Sequence, residues 1–261
     1  MLQPPFRKTI SPVASFIAVL LLLVCFAGVV NSQQSPGNIA CRPALSLTHR
    51  EILANKFRAI TGWTTLTFNK DGELRLGQDQ KPIGGSASAR TLLSKALSGP
   101  RLIVFEDASG RSDVVFARVV EARWTHHAAN KPQANLVLID FTDFSHVIGD
   151  EDAIAAFDEG WAVLHEIAHV VNESADAVKD DHLGECEAAI NVMRRECGLA
   201  ERAEYYFTYV PGKEFNAFTP RLVRLAFDLQ SPETSKKRRS WIMWDAALVG
   251  GIDSSKQIAA R

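Results

Sequence analysis

The spacing of apolar residues changes several times along this chain, and each change marks an element. Leu45, Leu47, Ile52, Leu53 and Phe57 supply the apolar positions of a helix predicted over 45–61. Trp63–Phe68 and Glu73–Leu76 then alternate on either side of Asn69-Lys70-Asp71-Gly72, which predicts a β-hairpin with an Asp-Gly turn. Gly84-Gly85 ends this unit, and the Ala- and Leu-rich stretch Ser86–Leu97 reads as a second helix. Strands are predicted at Arg101–Glu106 and Val114–Ala122, with a turn at Ser109-Gly110. Ala134–Phe141 is apolar enough to be a buried strand.

In the second half, a short helix is expected over Asp150–Phe157 and a longer one over Glu159–Asn172. Asp158 stands at the N-cap position of the longer helix, where its carboxylate accepts amide hydrogens of the first turn. Val163, Leu164, Ile167, Ala168, Val170 and Val171 make that helix apolar on most sides, the signature of a buried helix. A polar loop, 173–184, leads to a helix over Glu185–Leu199 with Gly198 near its end. Leu222–Leu229 and Ser240–Asp245 predict a C-terminal hairpin, with Lys236-Lys237-Arg238-Arg239 as its solvated turn. Internal repeats and a Pro- or Gly-rich interdomain linker are lacking, so residues 45–261 read as a single α+β domain.

The first 32 residues are a targeting segment, not fold. Arg7 and Lys8 precede an apolar run from Val13 to Val30, and Val30 and Ser32 suit the small positions before a cut at Gln33. The run also approaches membrane-spanning length, which makes an uncleaved N-terminal anchor the alternative. Either way the remainder is exported, to the periplasm or beyond. Cys25 follows Val24, which argues against a lipoprotein anchor. Residues 33–44 read as a tether. Cys41, Cys186 and Cys197 remain. On one helix Cys186 and Cys197 would stand about 16 Å apart, too far for a disulfide. Either one of them pairs with Cys41 or all three stay reduced. The 29 Lys and Arg against 30 Asp and Glu leave a net charge of −1, which points away from nucleic acid or an acidic membrane surface as the main partner.

Chemistry concentrates at His165-Glu166-Ile167-Ala168-His169. Positions i and i+4 of a helix share a face, so both imidazoles reach one metal ion. Glu166, about 100° round the helix, is placed as a general base beside that ion. Zinc brings the pKa of a bound water to about 7, within reach of such a carboxylate. A third ligand is needed. A His-x-x-Gly-x-x-His continuation is excluded, since Asn172 and Ala175 occupy the positions where it needs glycine and histidine. The next helix offers Glu185 and Glu187, with Asp180, Asp181 and His182 on the loop as outsiders. Its apolar stripe (Leu183, Cys186, Ile190, Met193, Cys197) lies nearer Glu187, which favours Glu187, with Asn191 one turn on as a hydrogen-bond partner. Tyr205, Tyr206, Tyr209 and His182 are the candidate donors to an oxyanion.

Phe157–His169, Leu183-Gly184-Glu185-Cys186-Glu187 and Asn191–Tyr205 together resemble the HExxH metallopeptidase-like domains of bacterial polymorphic-toxin and effector proteins. Those domains place a similar Asn-x-x-Arg-Arg-Glu-x-Gly-Leu-x-x-Arg-x-x-Tyr stretch after the zinc helix. The arrangement is also similar to gluzincins, although Glu187 is followed four residues later by Asn191 where that pattern has Asp. The resemblance implies a zincin-like helical core; the β-rich N-terminal part and the C-terminal hairpin packed with it are expected from the alternation above. The resemblance also implies bound zinc and hydrolysis of a peptide or protein substrate, with His165, His169 and Glu187 on the metal and Glu166 as base. Two other readings stand beside it: a metallopeptidase-like binding or adaptor protein without turnover, and a zinc hydrolase acting on a cell-wall crosslink.

Overall fold

Helices and strands converge on Glu159–Asn172, the helix that carries His165 and His169. The computed structural model describes residues 38–78, 81–122, 134–178, 183–210, 221–230 and 236–249. The chain is α+β. Residues 1–32, expected to be an export or anchor segment, lie outside the described residues.

Its first sheet has the order β1 (Ile39–Cys41), β4 (Leu102–Asp107), β6 (Ala134–Ile139), β5 (Ala117–Ala122). β1, β4 and β6 are parallel, while β5 runs antiparallel to β6 at the edge. Strand β1 corrects the expected tether at 33–44. Ile39, Ala40 and Cys41 pair with Ile103, Val104 and Phe105, and Ile39 and Cys41 are buried. Three residues are too few to display a period, and the polar stretch before them disguises the strand.

Between β1 and β4 come α1 (Leu47–Thr61), the small hairpin β2 (Thr67–Phe68) and β3 (Leu74–Arg75), and α2 (Ala87–Ser98). Ser46 and Ser86 cap the two helices by accepting from His49 N and Ala89 N. After the short helices α3 (Phe141–Ser145) and α4 (Glu151–Ala155), helix α5 (Glu159–Asn172) packs against α1, α2, β5, β6 and the following helix α6 (Gly184–Glu196). Asp158 caps α5 as expected, accepting from Trp161 N at 3.1 Å. At its other end Arg101 donates to the Val170 carbonyl and pairs with Glu173. Leu164, Ile167 and Ala168 are fully buried in the larger core, with Leu53, Phe57, Leu93 and Phe105.

A second core lies under the C-terminal sheet, whose order is β7 (Ile148–Gly149), β11 (Lys237–Asp245), β10 (Leu222–Gln230), β8 (Glu201–Arg202), with β9 (Thr208–Tyr209) also on β10. The predicted hairpin is β10–β11, but the basic run is not its turn. Pairing continues to Gln230↔Lys237, so Lys237–Arg239 belong to the strand. Acidic partners account for this: Arg239 binds Asp228 across the ladder and Glu204 beyond it, and Arg238 pairs with Asp152.

Phe144 and Leu199 pack against both cores, and Phe144 is met from the second by Phe116. The φ of 62° at Phe116 lies in the left-handed region, which starts β5 three residues later than the alternation of Val114–Ala122 suggested. A bulky residue there costs roughly 1–3 kcal/mol. The ring packs edge-on against Phe157 and Trp244 and is tilted against Phe144. Its N–H donates to buried Asp143 Oδ2 at 2.9 Å, and its carbonyl accepts from Asp140 N. Asp143 sits on α3 (Phe141–Ser145), a turn of helix that also shortens the strand expected over Ala134–Phe141. Asp140 ends that strand by capping α3. Among the described residues no helix is long and apolar enough to cross a membrane. Cys41, Cys186 and Cys197 are all free thiols.

Asp143→Ala leaves the Phe116 N–H without this acceptor in a buried setting. It should lower the unfolding free energy by about 1–3 kcal/mol in urea titrations. A midpoint equal to the wild type would mean that packing alone holds the left-handed joint.

Candidate metal centre

The i, i+4 spacing on α5 brings the His165 and His169 rings to a centroid separation of 4.8 Å, edge to face. Both turn Nε2 toward one carboxylate oxygen, Oδ1 of Asp176, at 3.0 Å and 3.2 Å. The far side of each ring also meets oxygen. His169 Nδ1 lies 2.8 Å from the Ser174 carbonyl, an acceptor that fixes the proton on Nδ1. His165 Nδ1 lies 3.1 Å from Glu187 Oε2, yet off the line of a hydrogen bond. With Nδ1 of His169 protonated, its Nε2 lone pair faces an anionic oxygen, while no hydrogen bond fixes the proton of His165 on Nδ1. Only a cation between that nitrogen and the oxygen, either a proton or a metal ion, relieves the repulsion. Tetrahedral zinc with ligand bonds near 2.0–2.1 Å would set its donors roughly 3.3 Å apart, close to the spacing found. The donor chemistry therefore fits zinc.

Asp176 reaches this point because the chain folds back over α5. Glu173 ends the helix in the left-handed region, at a φ of 54°. Ser174 Oγ then donates to the Ala168 carbonyl at 3.1 Å. Asp176 forms a bridge with Gly184, and Cys186 N donates to the Ala175 carbonyl at 3.2 Å. At Gly184 φ is +75°, and a Cβ would stand 2.4 Å from Ala177 N, so glycine permits this close approach. The start of α6 thereby pins the loop. It also presents Cys186, whose Sγ joins His165, His169 and Asp176 in a set of donor atoms all within 4.8 Å of one another. Sequence reasoning missed both Asp176 and the place of Cys186 beside the imidazoles. The available signal was Gly184 directly before a helix whose apolar stripe includes Cys186.

Glu187, expected as the third ligand, stands elsewhere. It is only 1% exposed. Its carboxylate takes hydrogen bonds from Arg194 and from Arg202 Nη1, the latter at 3.0 Å, and lies behind the His165 ring instead of on the Nε2 side. Asn191 does not bond that carboxylate as expected. Its Oδ1 accepts from Arg194 Nη1 at 2.9 Å and from Arg202 N at 2.8 Å, so it braces the arginines. Glu185 is exposed. Asp180, Asp181 and His182 lie outside the described residues.

Glu166 is buried, and its Oε2 accepts from Val119 N at 2.8 Å. That N–H belongs to edge strand β5 and points away from β6. Of the tyrosines, Tyr205 approaches the centre. Its ring lies 6.4 Å from that of His165, and burial together with the nearby Asp176 carboxylate raises its phenol above the ordinary range. Tyr206 instead donates to the Ala177 carbonyl, and Tyr209 packs with the second core.

Charge follows geometry. Burial raises the Glu166 carboxyl above the ordinary range and outweighs the two imidazoles beside it. Burial also opposes the charged forms of His165, Asp176 and Glu187, but their partners prevail. Asp176, Cys186 and Glu187 raise His165, the imidazoles lower Asp176, and Arg194 and Arg202 hold Glu187 well down. Hydrogen bonds to Asp176 and then Cys186 raise His169 to about 10.

Unfolded, His169 would titrate near about 6.5. Its elevated folded value of about 10 adds stability to the metal-free fold. That contribution is complete below about pH 6.5 and disappears as pH rises toward about 10. Zinc competes with the same protons, so added zinc should raise Tm more at alkaline than at acidic pH. Thermal melts with and without zinc check this; a zinc-induced shift independent of pH would contradict it. Separately, Glu187→Ala strands buried Arg194 and should cost about 3–5 kcal/mol in urea titrations, whereas Glu185→Ala should be neutral. No protein-family model, curated protein or solved structure matches the chain, so the reading of this centre rests on its own geometry and motif.

Proposed function

We propose that this chain is an exported zinc metallopeptidase. One observation carries the reading: on a buried helix, two imidazoles direct Nε2 at a single carboxylate oxygen, with the Glu166 carboxylate next to them in sequence. His165 Nε2, His169 Nε2 and Asp176 Oδ1 hold the ion in this reading, with Asp176 taking the place first assigned to Glu187. Zinc so held supplies Lewis acidity, which lowers the pKa of water toward about 7 and polarises a carbonyl group.

The chain's own residues supply the rest. Glu166 accepts a proton at its carboxylate and later returns it to the leaving amine nitrogen. Burial raises its proton affinity, which suits both halves of that task, and the Val119 N–H keeps the carboxylate oriented. Tyr205 donates its hydroxyl proton in a hydrogen bond to the oxygen that gains charge. A peptide substrate is favoured by the edge position of β5. An extended chain can align along such a strand by backbone hydrogen bonds, and Val119 sets that edge against Glu166. Export follows from Arg7, Lys8 and the apolar run Val13–Val30. The resemblance of Phe157–Tyr205 to HExxH metallopeptidase-like domains of toxins and effectors points the same way.

Metal analysis of the purified chain, paired with hydrolysis of an unfolded protein, tests the reading. Zinc is expected near one per chain, lost in Asp176→Ala and kept in Glu185→Ala. Glu166→Gln should retain the metal and lose about 10²–10⁴-fold in rate. Zinc far below stoichiometric, and unchanged by His165→Ala, would sink the proposal.

A further inference from the structure

A zinc hydrolase keeps one coordination position for water, beside three protein ligands. Around helix α5 there are four protein donors, not three. Cys186 Sγ completes a set with His165, His169 and Asp176 in which all donor atoms lie within 4.8 Å of one another. Cys186 is fully buried, on the first turn of α6, in a stretch tied to the Asp176 loop by the Asp176↔Gly184 bridge and by its own N–H to Ala175. The backbone contact that positions the carboxylate therefore positions the sulfur as well. Thiolate is the softest donor in the set and a strong ligand for zinc.

We propose that Cys186 is a fourth protein ligand of this centre and occupies the position that hydrolysis needs open, so that the loaded chain rests in a closed state. The inference depends on the metal-centre reading above. Two His nitrogens, one carboxylate oxygen and one thiolate sulfur satisfy a tetrahedral ion and bring its net charge to neutral, which weakens it as a Lewis acid. An acceptor for the sulfur's proton stands beside the cluster, because Cys186 Sγ, where it lies among the four donors, is also 3.1 Å from the His165 carbonyl oxygen. Opening is then a ligand exchange. Cys186 would leave the ion as a solvent oxygen took its place, and the released thiolate would take a proton from solvent and keep it in a hydrogen bond to the His165 carbonyl oxygen. Nothing is oxidised or reduced. The other cysteines do not compete for the role: Cys41 is placed on β1, and Cys197 follows α6 with its sulfur toward the Ile60 carbonyl.

The test is cobalt(II) substitution of the full chain, read by near-ultraviolet absorption, together with X-ray absorption of the zinc form. Sulfur-to-cobalt charge transfer is expected in the wild type, as is one sulfur neighbour at about 2.3 Å from zinc. Both signals should vanish in Cys186→Ser and persist in a Cys41→Ser, Cys197→Ser chain. At saturating zinc the Cys186→Ser chain should hydrolyse peptide faster than the wild type. The wild-type measurements require no variant to fold. A chain that binds cobalt or zinc stoichiometrically without a sulfur signal overturns the proposal and leaves the metallopeptidase reading standing. A sulfur signal with equal hydrolysis rates in the wild type and Cys186→Ser overturns the closed state. A chain that binds neither metal overturns both readings.

Discussion

Burying helix α5 creates the constraint that the surrounding structure answers. Its apolar faces must leave water, and they take two imidazoles and a carboxylate with them. The imidazoles point Nε2 at Asp176 and Nδ1 at oxygen partners, so negative and lone-pair groups surround them. Such an arrangement is costly without cations. The polar features nearby follow from that requirement: the fold-back at Glu173, the bridge to Gly184, and the two arginines on Glu187.

Glu187 illustrates how burial and function part company. Its inward position was legible, because helical angles place it near the apolar stripe of α6. Which inward group it meets was harder to read. Arg194 follows seven residues later, two turns along the same face, and claims one carboxylate oxygen; Arg202 from β8 claims the other. A carboxylate shared by two guanidiniums and the back of an imidazole is an orienting group. Asp176, by contrast, sits in a polar loop where no period marks it. Its place depends on contacts with Gly184 and with both imidazoles, which only the folded chain brings together.

The same division runs through the fold. Elements with many turns or a decisive turn sequence were readable: α5 with its Asp158 cap, the Asp-Gly hairpin, and the β10–β11 pair. Short elements defined by pairing were not. β1 has three residues and is a strand because β4 lies beside it. The basic run looked like a turn because charges usually mark one, but Asp228 and Glu204 sit across from Arg239 and keep it in the ladder.

The left-handed joint at Phe116 has a consequence for how the protein can be divided. One peptide unit later the chain becomes the strand whose Val119 amide orients Glu166. The joint itself is gripped by Trp244 from the last strand and by Phe157 just ahead of α5. The C-terminal hairpin thus acts on Glu166 at a distance, as a brace behind the start of β5. A fragment ending before Leu222 would contain every donor named at the centre and still lack what holds the edge strand in register. The smallest unit that keeps the Glu166 contact intact therefore extends through Trp244, well past the motif itself.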